Sequence, residues 1–160
     1  MAVDMYIKFD GVDGECVESK HEKWIDVESF HWAVSHHVDM VGSAHSSGKA
    51  TIEAFSFTKQ VDSSSPKIAL DCCTGQHIPK AEINFCQSTG DRLVWMTYKF
   101  TDVMFSHYQI SGSQAGSDRP QESISVNFGK WEQSYKPTDK TGKLGGAVPA
   151  GYDVKANKKV

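Results

Sequence analysis

Two groups of side chains in this sequence have the types from which a reaction centre is built. His36, His37 and His45 fall close together with Asp39 among them, a set that could collect zinc. Structural zinc is usually held by cysteine pairs at short spacing, and catalytic zinc by histidines on rigid elements. A polar stretch carrying Gly42 and Gly48 offers neither, and a solvated loop is the better reading. The second group is Cys72 or Cys73 with His77 shortly after. A nucleophilic cysteine needs its thiolate favoured, as at a helix N-terminus or beside a cation. These cysteines fall near the C-terminal end of an expected helix, where the dipole disfavours a thiolate, so inert thiols are the better reading. No Gly-x-Ser-x-Gly, P-loop or dinucleotide glycine pattern is present, and Ser63 to Ser65 reads as a loop running into a helix cap. The eight Phe, five Tyr and four Trp could stack sugars or bases. Trp32 and Trp131, however, share parity with neighbouring apolar residues, as core residues do. These residue types do not describe an enzyme, and neither a cofactor nor a metal is expected.

The elements that would position such groups are strands. Three alternating runs change face by slipping one residue: Ile25 and Val27 before Phe30, Trp32 and Val34; Val94 to Phe100 before Val103 and Phe105; Ile124, Val126 and Phe128 before Trp131 and Tyr135. A spacing of three would turn the rest of a flat strand to solvent. A β-bulge at Glu28–Ser29, Thr101–Asp102 and Gly129–Lys130 would restore the inward direction and bend each strand, and bent strands are what a small barrel needs. Further strands are expected over 4–9, 23–35, 50–60, 80–87 and 151–155. Residues 92–110 would span about 60 Å if extended, so the slip there must be a corner. Residues 36–49 form a long polar excursion, of the length that usually marks function or disorder. One helix is signalled by Ser65 as N-cap, Pro66 at the first position and Gly75 as a left-handed terminator. The expected fold is mainly β: a compact antiparallel β-barrel of two curved sheets with one short flanking α-helix and an extended loop, residues 1–160 forming a single domain.

Charge and cysteine usage bound the partners. The formal net charge is −3, from seventeen Lys+Arg against twenty Asp+Glu, which argues against nucleic-acid binding driven by phosphate neutralisation. Residues 136–160 hold six Lys and two Asp, +4, leaving −7 for residues 1–135. The N-terminal segment has no basic and apolar leader regions, and no stretch reaches the ~20 apolar residues of a membrane span. Cys16, Cys72, Cys73 and Cys86 are too irregular for a disulfide framework and read as reduced, in a protein made in the cytoplasm.

In order along the chain, several segments resemble one known family. They are Met1-Ala-Val-Asp-Met-Tyr-Ile-Lys-Phe, Gly14-Glu15, the run from Ile25 to Trp32, and Phe57-Thr-Lys59. Further on come Asp62-Ser-Ser-Ser-Pro66, Gly75-Gln-His-Ile-Pro79, Glu122 to Phe128, Tyr135-Lys-Pro137 and Gly151-Tyr-Asp-Val154. Together they resemble the haemolysin co-regulated proteins, the tube subunits of bacterial type VI secretion. The resemblance implies hexameric rings that stack into a tube, expelled by a contracting sheath behind a spike, with small effectors held in the lumen of some members. It implies a protein made and assembled in the bacterial cytoplasm and secreted without a signal peptide. Its partners would be further copies of itself, spike and sheath proteins and effector cargo, with no nucleic acid and no membrane insertion. Ring-to-ring contact is expected from Val41, Gly42, Ser43, Ala44, His45, Ser46 and Ser47, because that loop is too long and polar to serve the core. Residues 111–119 are the competing stacking element. Two readings from other classes are a monomeric β-barrel module binding a ligand or glycan, and a cysteine hydrolase using Cys73 and His77.

Overall fold

The computed structural model describes residues 2–41, 46–88, 90–116 and 119–160, with Ser46 and Ser47 described by their backbone. In chain order the elements are β1 (Val3–Phe9), β2 (Ile25–Val27), β3 (Ser29–His31), β4 (Val34–Asp39), β5 (Ser46–Ile52) and β6 (Phe55–Gln60). They continue with α1 (Ser65–Thr74), β7 (Ile78–Gln87), β8 (Val94–Ser111), β9 (Gln121–Tyr135), β10 (Val148–Asp153) and β11 (Lys158–Lys159). The fold is mainly β, and its paired strands are antiparallel.

Alternation along the strands builds the core. Ile7 and Phe9 of β1, Phe55 and Phe57 of β6, Ile83 and Phe85 of β7, Phe100 of β8 and Ile124 and Val126 of β9 are all buried in one cluster. Hydrogen-bonded neighbours run β11-β10-β9-β8-β7-β1-β2. β9 is paired twice on its side away from β8, through residues 121–126 to β6 and through residues 130–135 to β10. β6 in turn carries β3.

The three slips are resolved in two ways. At Glu28 the chain changes partners: β2 lies on β1 and β3 on β6, while the Glu28 N–H donates to the Thr58 carbonyl at 2.8 Å. No ladder joins β2 to β3, so the sheet meets itself through this covalent corner. The other two slips lie opposite one another, with Thr101 paired to Lys130 and Val103 to Phe128 in unbroken register. Asp102 between them has φ 57°. The expected bulges are therefore absent at these two places. When both partner strands change face at one level, the ladder survives, and a single left-handed residue supplies the bend. Register shifts occur instead between Phe105 and His107 and between Phe85 and Cys86.

The long strands expected over 23–35 and 50–60 are each broken, because the chain passes between two sheets at Trp32–Ala33 and Glu53–Ala54. The excursion over 36–49 is largely strand: β4 and β5 form a separate two-stranded sheet. α1 begins at Ser65 with Ser64 at the cap position, one residue before the expected cap, and no side chain caps it. The Ser65 hydroxyl is diverted to the Asp62 N–H at 3.0 Å. Gly75 closes the helix at φ 67°, its N–H donating to the Asp71 carbonyl. Ile68 is buried against the barrel, and Cys73 points to solvent.

Candidate assembly surface

The β4–β5 hairpin is the least self-sufficient part of the molecule. In β4 and the residue after it, every second position from Val34 to Met40 is Val, His, Val or Met, and strand periodicity puts Val34, His36 and Val38 on one face. Across the ladder Val34 pairs with Ile52 and His36 with Ala50, and directly opposed residues share a face. The register shifts between His36 and Val38, the extra residue lying on the β5 side at Gly48–Lys49. That face leaves Val34 48% exposed, Val38 51% and Met40 66%. A two-stranded hairpin is marginally stable alone in water, and an apolar face on it asks for a partner surface.

Of the residues expected to stack rings, Val41 is 86% exposed and its N–H donates to Asp39 Oδ1 at 2.9 Å. Ser46 and Ser47 open β5, while Gly42, Ser43, Ala44 and His45 lie outside the described residues. Of the candidate zinc histidines, His36 and His37 are successive strand residues and so point to opposite faces, while His45 lies outside the described residues. His77 Nδ1 lies 3.0 Å from Asp102 Oδ1, which directs the imidazole to the β8 corner. Among the described residues no group of three His, Cys, Asp or Glu is placed to hold a metal ion, and no helix is long and apolar enough to cross a membrane.

Two buried polar constellations escaped sequence reasoning. Lys59 and Glu122, both fully buried, are register partners on β6 and β9 with Nζ and Oε2 2.5 Å apart. Lys59 Nζ also donates to Asp62 Oδ1 at 2.8 Å, and to Ser65 Oγ and the Gln60 carbonyl at 3.1 Å. The Tyr108 hydroxyl donates to Glu122 Oε1 at 2.5 Å, and burial together with Glu122 pushes its pKa up to about 12. The signal was available: Lys59 shares parity with Phe55 and Phe57, and Glu122 with Ile124 and Val126, so opposite charges sit at inward positions on adjacent strands. A buried charge survives only when paired. This network therefore ties β6, β9 and the start of α1 together.

The second constellation holds the 14–24 segment to the barrel. His21, 2% exposed, stacks on Tyr6 with ring centroids 4.6 Å apart and meets Trp24 edge-on at 4.8 Å. Its Nδ1 lies 2.5 Å from Glu18 Oε2 and its Nε2 3.1 Å from Asn84 Nδ2. Burial works to raise the Glu18 carboxyl, but hydrogen bonds from His21, the Lys20 amide and Ser19 outweigh it and hold the group below its ordinary value. The spacing Glu18-x-x-His21 was the available signal.

The molecule thus presents a barrel held by buried charges, with an outlying apolar hairpin. Comparison with known proteins places that arrangement. The family model described as type VI secretion system effector, Hcp, matches residues 6–135. Protein hcp1 of Pseudomonas aeruginosa is 33% identical over 160 residues, covering 98% of each chain. A solved type six secretion system protein superposes with a TM-score of 0.94 at 40% identity, covering 99% of this chain and 100% of that one. Hcp1 of Salmonella typhimurium gives 0.80 at 31% identity with both chains fully covered. The chain belongs to the Hcp family of type VI secretion system proteins.

Proposed function

We propose that this chain is a structural subunit of the inner tube, six copies closing into a ring and rings stacking into a tube that the sheath expels. The observation that carries this reading is the β4–β5 hairpin, a separate sheet whose apolar face stands about half exposed among the described residues. Residues 1–160 act as one unit, made and assembled in the bacterial cytoplasm and exported without a signal peptide. Spike and sheath proteins are its partners, and the ring lumen is where small effectors would travel. The buried charge network suits the role, since a segment that transmits axial force must not deform.

The test is the mass and shape of the assembly. Light scattering after size exclusion should give a particle near six times 17.7 kDa, and electron microscopy should show rings and stacks. Deleting residues 41–47 should leave the rings and abolish the stacks. Unchanged tubes would transfer the stacking role to residues 111–119, tested by the same deletion there. A wild-type chain that stays at 17.7 kDa under all conditions would return the protein to the class of monomeric ligand-binding modules.

A further inference from the structure

A single file of hydrogen bonds leads from the 14–24 segment across β7 to β8. Glu18 Oε2 lies 2.5 Å from His21 Nδ1, and His21 Nε2 lies 3.1 Å from Asn84 Nδ2. The hydroxyl of Thr97, the register partner of Asn84, donates to Asn84 Oδ1 at 2.9 Å. Each donor and acceptor in the file is decided by its neighbour. Although burial works against it, Glu18 stays ionised through bonds from His21, the Lys20 amide and Ser19, and an ionised carboxylate can only accept. Nδ1 therefore carries the proton. In the neutral imidazole Nε2 is then an acceptor, which only the NH2 end of Asn84 can satisfy, and Oδ1 is left for the Thr97 hydroxyl. A proton arriving at Nε2 finds this amide the wrong way round. Two donors would meet where His21 is 2% and Asn84 8% exposed, and a buried charged donor without an acceptor is costly. Half a turn of the amide relieves it: Oδ1 accepts from Nε2–H, and Nδ2 donates to the Thr97 oxygen, since a hydroxyl accepts as readily as it donates.

We infer that His21, Asn84 and Thr97 form a proton-driven hydrogen-bond relay: protonation of the imidazole turns the Asn84 amide and reverses the Thr97 hydroxyl, while the 14–24 segment stays closed. The proton of Thr97 is thereby released towards the groove of about 450 Å³ that Thr97 lines with Lys99 and Ser134. The relay lies within one subunit and does not depend on the ring. Its working range follows from the groups around it. Imidazole is the side chain that ordinarily changes charge between about pH 5 and 8. The charged or titratable groups about it are Glu18, Cys16 and Lys20 of its own segment, Asp4 and Tyr6 of β1, Asp26 of β2, Cys86 of β7, and Arg92. Burial pushes Tyr6 up to about 12 and Cys86 up to about 11, so neither gains charge in that range. Burial also raises the Asp26 carboxyl, which makes Asp26→Asn the control.

The test is a side-chain NMR titration of deuterated wild-type protein, labelled with 15N at asparagine and histidine, from about pH 8 to about pH 5. With three asparagines in the chain, Asn84, Asn127 and Asn157, the amide signals resolve readily. At the upper end His21 should show the Nδ1–H tautomer. On acidification the Asn84 amide signals should shift with the midpoint of His21. The Cys16 and Lys23 amides, which bond the Trp24 and Cys16 carbonyls within the segment, should keep their protection from hydrogen exchange. Asn84→Leu offers the imidazolium no acceptor, so the closed segment then disfavours the charged form. In that variant the His21 midpoint should fall by at least about one pH unit, and protection at Cys16 and Lys23 should be lost as pH falls. Should Asn84→Leu fail to fold, the wild-type titration decides by itself. An Nε2–H tautomer at high pH, an imidazole that stays neutral throughout, or Asn84 signals indifferent to His21 would overturn the relay. So would wild-type segment opening on acidification, a response that vanishes in Asp26→Asn, or an unchanged midpoint in folded Asn84→Leu.

Discussion

Asp102 sits in the left-handed region at φ 57°, across the β8–β9 ladder from Gly129. A Cβ added to Gly129 would stand 3.4 Å from the Asp102 Cβ and 2.9 Å from Lys155 Cε. The paired corner therefore depends on the residue that accepts positive φ, since at Gly129 the flexible Lys155 side chain can step aside. Asp is among the few types that visit this region at modest cost, and a β-branched residue is not. Asp102→Val should destabilise by about 1–2 kcal/mol. Asp102→Gly should stay within about 1 kcal/mol of wild type, because relief of the backbone offsets the loss of exposed ion pairs to His77 and Lys155. Urea midpoints at fixed protein concentration check both, and equal losses would show that the corner is held by its charges.

Much of this corner was legible. Face changes in 94–105 and 124–135 located both bends to the residue, since Phe100, Val103 and Val126 must all reach one core. Their mutual alignment was not legible, because register is a property of two strands and parity is a property of one. The hairpin was hidden for a related reason. Val34, Val38 and Met40 alternate as a strand should, but with no core behind them the polar residues between dominate the composition. Lys59 and Glu122 are of types that composition assigns to the surface, although their parity with Phe57 and Ile124 placed them inside.

That buried pair yields a second expectation. Lys59→Met leaves Glu122 charged and fully buried without its counter-ion, which should cost about 3–5 kcal/mol. Replacing both, as Lys59→Met/Glu122→Leu, removes the stranded charge and should cost less than the single change. A double-mutant cycle by denaturant melting reads the coupling. Additive losses would show that the two charges do not stabilise each other.

The phenols set the alkaline limit. Burial, with Glu122 beside one and Asp4 beside the other, pushes Tyr108 and Tyr6 up to about 12 from an ordinary 10.0. Because the neutral phenol is favoured in the fold, this stability is full below pH ~10 and is lost as pH rises towards ~12. Phenolate absorbance should therefore complete its rise only as the circular dichroism of the fold is lost, and Tyr108→Phe should remove one late-titrating group. Full phenolate amplitude near pH 10 with the fold intact would contradict the burial of these hydroxyls.

Gly14 is a steric requirement of the β2 approach. A Cβ there would come within 2.4 Å of the Trp24 carbonyl oxygen and 2.8 Å of Ile25 Cγ1, whereas at Gly146 it would meet nothing within 4 Å. Backbone cannot step aside as a flexible side chain can, so Gly14→Ala should lose about 1–3 kcal/mol. Gly146→Ala should be neutral or slightly stabilising, by up to about 1 kcal/mol. Thermal melts of the two variants side by side make the comparison.

In the proposed tube, six copies at −3 each give −18 facing −18 between rings, and added salt should relieve that repulsion. Low ionic strength should therefore favour separate rings, and moderate salt should lengthen tubes. The proposed stacking role of the hairpin face of Val34, Val38 and Met40 would add an apolar contribution that salt does not screen. Val38→Asp should consequently shorten tubes at every salt concentration while leaving ring mass unchanged. Electron micrographs scored for tube length across a salt series, with light scattering for ring mass, separate the two contacts. Loss of rings in Val38→Asp would place the hairpin in the lateral interface and move the stacking role elsewhere.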